Sequence, residues 1–307
     1  MILSAHDIRQ MGLLVAKMTD AEQTAKGPDL CNELIRALYG SPPEVLADVW
    51  HDLCNTTIPG ARLTDEEKSN HGVKMFFLAH YMLWTYPRNA RLIEIHFGPI
   101  AEKLTRGDPL WKWIRKIESL LPEKIKWLPR LDDPNCEAFI VTIDGVDCRT
   151  WESRRHPTFN IDRRLYSKKF AHAALKYEIA VAIFEDKIVW VNGPFRGGKH
   201  DLSIFREDGL MDKIQDGKMG ITDRGYRTSV AAEADKLAFK REEDPPDLKK
   251  IKGRSTCRHE TVNSRIKQFC AASETFRHGK DKQEAAFKAI CVVVQYQIDH
   301  GAYLYQV

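Results

Sequence analysis

Apolar residues recur at helical spacing through the first 125 residues, and strand-like segments appear only after them. Glycine and proline pairs punctuate the helical segments, as expected of loops between helices. The clearest pattern predicts a helix over 65–85, which Pro87 ends, and another predicts a helix over 108–121. We therefore predict an all-helical N-terminal domain spanning residues 1–125.

The second half of the chain, residues 126–307, alternates strands with helices. A short apolar strand, Phe139 to Ile143, ends on Asp144 and Gly145. A hairpin signature at Glu185-Asp186 separates two further strands, so we expect the first three strands to run antiparallel. Two later strands are predicted over 218–222 and 237–240. This order indicates an α/β domain with a ribonuclease-H-like mixed sheet and flanking helices.

Helices are also predicted in the second half. One follows Asp201, whose side chain is well placed to cap it, and capping is favoured over a direct catalytic role. Another begins near Asp247, with Gly253 as a potential break. A last one, over 281–300, is expected to cover the sheet or the apolar stripe of the preceding helix.

Composition excludes several classes of protein. The 307 residues contain 43% hydrophobic residues and carry a net charge of only +4. No apolar stretch is long enough to span a membrane, and the first residues lack the pattern of a signal peptide. The seven cysteines include no Cys-x-x-Cys pair, which favours reduced thiols over zinc ligands or disulfides. We expect a cytosolic or nuclear protein.

Three carboxylates suggest a chemical function. Asp144 and Asp223 each follow a short apolar strand, and Glu260 lies on the polar face of a predicted helix with Asn263, Ser264 and Lys267. Carboxylates from two strand ends and one helix are able to hold two divalent cations, which prefer oxygen ligands. An Asp-Gly turn that merely ends a strand is an equally simple explanation of Asp144.

Basic residues on the predicted 108–121 helix raise the question of DNA binding. Lys112, Arg115 and Lys116 are expected to face solvent, and short helices precede them, one of them over 100–104. This arrangement is compatible with a helix-turn-helix over about 76–121, but a charged face on a packing helix explains it as well. His80 lies on an apolar face and is read as a hydrogen-bonded core histidine, not a ligand.

Four motifs occur in a familiar order: Asp144-Gly145, His200-Asp201, Asp223-Arg224-Gly225-Tyr226, and Arg258-His259-Glu260 followed by Arg265-Ile266-Lys267. Together they resemble the DDE transposases of the PIF/Harbinger type, from about residue 124 onward. The block from Phe76 to Trp127 is similar to the helix-turn-helix that precedes this domain in related proteins. Asp147 departs from the pattern, because His or another polar residue is expected there.

The resemblance implies a function. Two Mg²⁺ or Mn²⁺ ions would bind at Asp144, Asp223 and Glu260, and the enzyme would cut transposon ends and join the 3′-hydroxyl to target DNA. DNA-binding residues are expected at Lys112, Arg115, Arg196, Lys199 and Lys267. The resemblance also implies a nuclear location, self-association and a Myb-like DNA-binding partner.

Two alternatives remain open at the level of sequence. The first is a host-adopted, transposase-derived protein that binds DNA or a partner without cutting. The second is a phosphatase that uses Asp144 as its nucleophile, for which the spacing of Asp144 and Asp147 is the only indication.

Overall fold

The computed structural model describes residues 2–98, 108–152, 162–207 and 209–307. The chain forms two compact units. The first contains Met1–Lys124, Lys267–Glu274 and Gly279–Gly301, and the second contains Ile125–Ile266, Thr275–His278 and Ala302–Val307. In the described ranges no helix is both long and apolar enough to cross a membrane.

The first unit is built from helices throughout its described residues. The predicted 65–85 helix begins only at Asn70, because the Ser69 hydroxyl accepts a hydrogen bond from the Gly72 amide and so caps the helix there. The short helix expected over 100–104 lies outside the described residues. The helices of this unit are Ala5–Val15, Asp20–Tyr39, Pro43–Asn55, Asn70–Thr85, Ala90–Phe97, Asp108–Ser119, Leu121–Lys124, Cys270–Ser273 and Lys280–Asp299.

The last helix, Lys280–Asp299, belongs to this first unit, whereas the sequence had suggested a place on the sheet or on the preceding helix. It packs against the Asp108–Ser119 helix. The Tyr296 hydroxyl donates a 2.6 Å hydrogen bond to Asp52. The sequence reasoning was wrong here, because the apolar stripe of a helix does not specify which apolar surface it will meet.

The Asp108–Ser119 helix is more deeply packed than its basic residues suggested. Trp113 stacks on Trp50 with ring centroids 6.1 Å apart. Lys116, expected in solvent, is buried: it donates hydrogen bonds to the carbonyl oxygens of Gly60 and Arg62 and pairs with Glu67 at 3.1 Å. A buried ammonium is tolerated because these acceptors replace its water.

A six-stranded mixed sheet forms the centre of the second unit. The strand order is β2-β3-β1-β5-β6, and β4 also pairs with β3. The β1–β3 and β3–β4 pairs are antiparallel, as predicted, while β1–β5 and β5–β6 are parallel. The strands are β1 (Phe139–Arg149), β2 (Tyr166–Ser167), β3 (His172–Ala182), β4 (Ile188–Arg196), β5 (Met219–Ile221) and β6 (Leu237–Ala238).

Strand β1 does not end at Asp144. It continues for five more residues to Arg149, with Gly145 opposite Glu178 of β3, so both the predicted strand end and the alternative Asp-Gly turn were wrong. Val146 and Cys148 are buried and stay paired with β3, which explains why the strand persists beyond Gly145. Asp144 therefore lies inside strand β1, and the residues before and after it are both paired with β3.

A 23-residue helix, Pro246–Gln268, carries the Glu260 motif and passes through Gly253 without a break. Its Arg258 side chain is almost fully buried and fastens the helix to the hairpin between β3 and β4. The guanidinium donates to the Ala182 carbonyl oxygen at 2.8 Å and pairs with Asp186 at 2.9 Å. The other helices of this unit are Asp201–Glu207, Leu210–Lys213 and Ala231–Ala234.

Candidate functional site

Asp144 and Asp223 lie side by side because their strands are parallel and in register. Thr142 of β1 lies opposite Ile221 of β5. Asp144 comes two residues after Thr142, and Asp223 comes two residues after Ile221. Asp223 itself comes just after β5, where its side chain accepts a 2.7 Å hydrogen bond from the Gly225 amide. Parallel pairing thus joins two acids that are distant in sequence.

Asp144 is held in an environment that disfavours its charge. Burial raises the pKa of its carboxyl to about 6; a hydrogen bond from the Gly145 amide opposes the rise, and the negative charges of Asp223 and Asp201 add to it. The Gly145 amide donates to Oδ1 at 2.8 Å, and Nδ2 of Asn263 donates to Oδ2 at 3.0 Å. The repulsion between these acids is the kind that a bound cation relieves.

Asp201 approaches the same place from a different element. It is the first residue of its short helix, and the Leu202 amide donates to Nδ1 of His200, so the predicted capping role of Asp201 was wrong. Instead, Lys176 of β3 donates from Nζ to Oδ1 of Asp201 at 2.7 Å. The Asp201 carboxylate is directed at the acidic site and not at the helix amides.

Two glycines make room for the Asp201 carboxylate. A Cβ at Gly145 would lie 2.8 Å from Oδ1 of Asp201, and a Cβ at Gly225 would lie 3.4 Å from Oδ2. Gly145 follows Asp144 in the chain, and Gly225 belongs to the Asp223 motif. The two glycines therefore permit close approach of a third carboxylate, which is a use of glycine that a sequence motif alone does not reveal.

The long helix contributes Asn263 to the site, and Glu260 lies one turn before Asn263 on the same helix. His259, buried and with its pKa lowered to about 4 by burial, shares a 2.8 Å hydrogen bond with Thr142 of β1, which aligns helix and strand. Asn263, one turn further on, reaches Asp144. Glu260 is exposed and precedes Asn263 by three residues, which is the spacing of neighbours on a helix surface.

Asp147, the position that departed from the expected pattern, is buried and engaged. Its Oδ2 accepts a 2.5 Å hydrogen bond from the Ser167 hydroxyl, and Nζ of Lys176 lies 3.9 Å from Oδ1. Lys176 thus stands between Asp147 and Asp201. Asp147 therefore adds a negative charge near Lys176, and its hydrogen bond with Ser167 links β1 to β2 across β3.

An open cleft of about 930 Å³ lies over Asp144 and Asp223. Asp201 and Lys176 also line it, together with cationic side chains from the segments on either side of β2 and after β4. Lys169 is close enough for its charge to favour the ionised form of Asp144. These cationic residues, which we call the basic rim, are Arg163, Arg164, Lys168, Lys169, Arg196 and Lys199.

The predicted DNA-binding residues fall into two groups. Arg196 and Lys199 belong to the basic rim; they also pair with Asp162 at 3.6 Å and Glu207 at 2.9 Å, respectively. The others lie in the first unit and have partners there. Lys112 pairs with Glu67 at 2.8 Å, Arg115 pairs with Asp281 at 2.9 Å, and Lys267 donates to the Ala272 carbonyl oxygen.

Sequence reasoning also overlooked several residues of the site. Asn263 had been placed on the stripe of Glu260 without a role, and the basic segment around Lys168 and Lys169 was not considered. Lys176 carries no motif at all. The available signal was the density of Lys and Arg between residues 163 and 169, which is typical of a surface that meets polyanions.

The carboxylates are suitable ligands for a hard divalent cation, although their side chains are not arranged in coordination geometry. Among the residues that the structure describes, no three His, Cys, Asp or Glu side chains are placed to hold a metal ion. The carboxylates of Asp144, Asp201 and Asp223 nevertheless crowd together, and Oδ1 of Asn263 is buried without a hydrogen-bond partner in the described residues. Uncompensated oxygen donors of this kind fit Mg²⁺ or Mn²⁺.

Comparison with known proteins agrees with this chemistry. Residues 146–295 match the family model described as DDE superfamily endonuclease. The match supports placing the chain in the DDE endonuclease superfamily. It includes Asp223 and Glu260 and begins two residues after Asp144. No curated protein and no solved structure matches the chain.

Proposed function

We propose that the chain is a DNA transposase of the PIF/Harbinger type, with a ribonuclease-H-like catalytic domain. It cuts phosphodiesters at transposon ends and joins the freed 3′-hydroxyl to target DNA. The observation that carries this proposal is the in-register pair of Asp144 and Asp223 beneath the basic rim. The family match supports the endonuclease part of the proposal.

In this proposal Asp144, Asp223 and Glu260 would hold two divalent cations, Mg²⁺ or Mn²⁺. Such ions, when bound, activate water and stabilise the charge that develops on the attacking and leaving oxygens. Asp144 lies between β5 and the long helix, which suits a carboxylate shared by both sites. Asn263 orients Asp144 by donating a hydrogen bond to Oδ2 of that aspartate. His259 holds the long helix against β1 through its hydrogen bond with Thr142.

The basic rim is proposed to bind the DNA backbone. Lysine and arginine side chains attract phosphates irrespective of sequence, and their arrangement around the acids would bring a phosphodiester to the cleft. Lys112, Arg115 and Lys267 remain proposed DNA contacts as well, although each would first have to leave its present partner. A helix-turn-helix over about 76–121, a Myb-like partner, self-association and a nuclear location stay part of the proposal.

The energetic state of Asp144 favours an enzyme over a host-adopted protein that only binds DNA. Keeping a carboxylate ionised in a buried place beside two other acids costs stability. A protein that only bound DNA would gain nothing from this arrangement, whereas a cation-dependent nuclease requires it. A separate observation weakens the phosphatase alternative: Asp147 is buried and accepts a hydrogen bond from Ser167 of β2.

A nicking assay tests the proposal. The purified chain should convert supercoiled plasmid to the open circular form in Mg²⁺ or Mn²⁺, and EDTA should stop the reaction. Asp223→Asn should remove this activity and leave DNA binding in EDTA intact, because the basic rim and not the acids holds the backbone. A chain that binds DNA but never nicks it in either metal would instead support the host-adopted alternative.

A further inference from the structure

Asp201 does not have the capping role that its place at a helix start suggests. The amide of Leu202 is already satisfied by His200, so the helix does not need Asp201 as its cap. Its carboxylate is only partly exposed and lies against the glycines that follow Asp144 and Asp223. A solvent-facing rotamer would have avoided the repulsion from both acids, so the surrounding contacts must hold the side chain in place.

Lys176 is the group that holds Asp201 there. Its ammonium donates to Oδ1 of Asp201 at 2.7 Å and to the Lys199 carbonyl oxygen at 3.1 Å, and only 12% of its side chain is exposed. The bond uses Oδ1 and leaves Oδ2 on the side of Gly225 and the Asp223 motif. Lys176 therefore fixes Oδ1 of Asp201 and leaves Oδ2 of Asp201 free to face the Asp223 motif.

A second observation, on the opposite flank of Asp144, fits a cation-binding role for this site. The amide of Asn263 donates to Asp144 through Nδ2, while its Oδ1 is buried and has no hydrogen-bond partner among the described residues. Leaving such a buried acceptor without a hydrogen bond costs stability. Asp144 is thus flanked by one uncompensated oxygen of Asn263 and by the carboxylate of Asp201.

We propose that Asp201 is a fourth acidic residue of the cation site and that Lys176 is its positioning residue. The inference rests on the proposed function, and it names a ligand that the three-acid motif omits. Asp144, Asp223 and Asp201 would together hold a cation on the side of β5, and Lys176 keeps the Asp201 carboxylate close to the other two acids. Glu260 would hold the second cation from the long helix.

Titration of the metal-free chain with Mn²⁺ alone, followed by calorimetry, tests the inference without DNA or cleavage. Asp201→Asn should weaken Mn²⁺ binding by at least about tenfold, because a neutral amide replaces an anionic ligand. Asn keeps an oxygen for the hydrogen bond from Lys176, so the fold should be preserved, which circular dichroism can verify. Glu207→Gln is the matched control, because it removes an exposed charge from the same helix, and it should bind Mn²⁺ like the wild type.

Lys176→Met separates a ligand from a structural residue. If Asp201 binds the cation and Lys176 only positions it, this variant should lose clearly less Mn²⁺ affinity than Asp201→Asn, because the anionic ligand is still present. If Asp201 only anchors Lys176, Lys176→Met should lose as much affinity as Asp201→Asn, and the inference is wrong.

Asp144→Asn tells the two levels of the proposal apart. Loss of Mn²⁺ binding in Asp144→Asn with none in Asp201→Asn overturns the role of Asp201 and keeps the proposed function. Unchanged binding in Asp144→Asn overturns the cation site itself, and with it the basis of both proposals.

Discussion

Replacing Asp144 with Asn should stabilise the metal-free protein at neutral pH. Burial and the neighbouring charges of Asp223 and Asp201 raise the pKa of Asp144 to about 6, so its ionised form is less stable in the folded chain than in the unfolded one. Asn is neutral and can still accept the hydrogen bond from the Gly145 amide. Asn263 can turn its amide over and offer its unpartnered Oδ1 to the new amide group.

The size of the effect follows from the pKa. A rise from 3.8 to about 6 corresponds to about 3 kcal/mol at ~1.4 kcal/mol per pKa unit, and this is an upper bound because local relaxation reduces it. The folded state binds the proton more tightly, so wild-type stability falls as pH rises from about 4 to 6. The advantage of Asp144→Asn should therefore be absent near pH 4 and complete above about pH 7, at about 1–3 kcal/mol.

Hydrogen exchange of the β1 amides as a function of urea, in EDTA, measures the relevant free energy of unfolding. Asp216→Asn is the control, because it removes a fully exposed charge of the same unit and should change little. Equal stability of wild type and Asp144→Asn at pH 7.5, or a larger gap at pH 4 than at pH 7.5, would refute the reasoning. Saturating Mg²⁺ should then stabilise the wild type and not the variant.

Three further predictions concern other parts of the chain. His80→Leu should raise stability by about 1–3 kcal/mol at pH 7 in thermal or urea unfolding, because burial lowers the pKa of His80 to about 3 and neither ring nitrogen has a partner in the described residues. Its advantage should grow as pH falls below 6.5, and a destabilised variant would contradict this. Lys169→Glu with Arg196→Glu should weaken DNA binding in EDTA and lower the salt slope by about one for each lost phosphate contact, and unchanged affinity at moderate salt would remove the basic rim from the proposal. Gly145→Ala should lower Mn²⁺ affinity with little change in circular dichroism, because its methyl group would displace Asp201; normal affinity would show that the close approach of Asp201 is not needed.

The local pattern of the sequence was sufficient to predict the strands that lead to Asp144 and Asp223, although it did not predict that β1 continues past Asp144. Short apolar segments and a two-residue hairpin turn predicted three antiparallel strands, and the structure has them. A further apolar segment predicted the strand that precedes Asp223, which the structure also has. The long helix through Glu260 was also predicted. Each of these features depends on residues close together in the chain, which is where periodicity is informative.

Contacts between distant residues escaped prediction. Asp201 at a helix start looked like a cap, and only the approach of Lys176 from β3 shows where its carboxylate is held. His80 was expected to find a hydrogen-bond partner in the core, but it packs edge-on against Phe76 and none is seen in the described residues. Lys116 was expected in solvent, but it pairs with Glu67 and donates hydrogen bonds to two loop carbonyl oxygens. The identity of a residue does not reveal which distant residues the tertiary structure places next to it.

Cation-dependent cleavage of DNA by this chain is the central claim of the proposed function. The decisive measurement is nicking of supercoiled plasmid by wild type, Asp144→Asn, Asp223→Asn and Glu260→Gln in Mg²⁺ and Mn²⁺, with DNA binding in EDTA measured in parallel. We predict that the wild type nicks DNA only with metal, and that each variant loses nearly all cleavage while still binding DNA. Wild-type cleavage by Asp144→Asn or Asp223→Asn, or cleavage that persists in EDTA, would contradict the account.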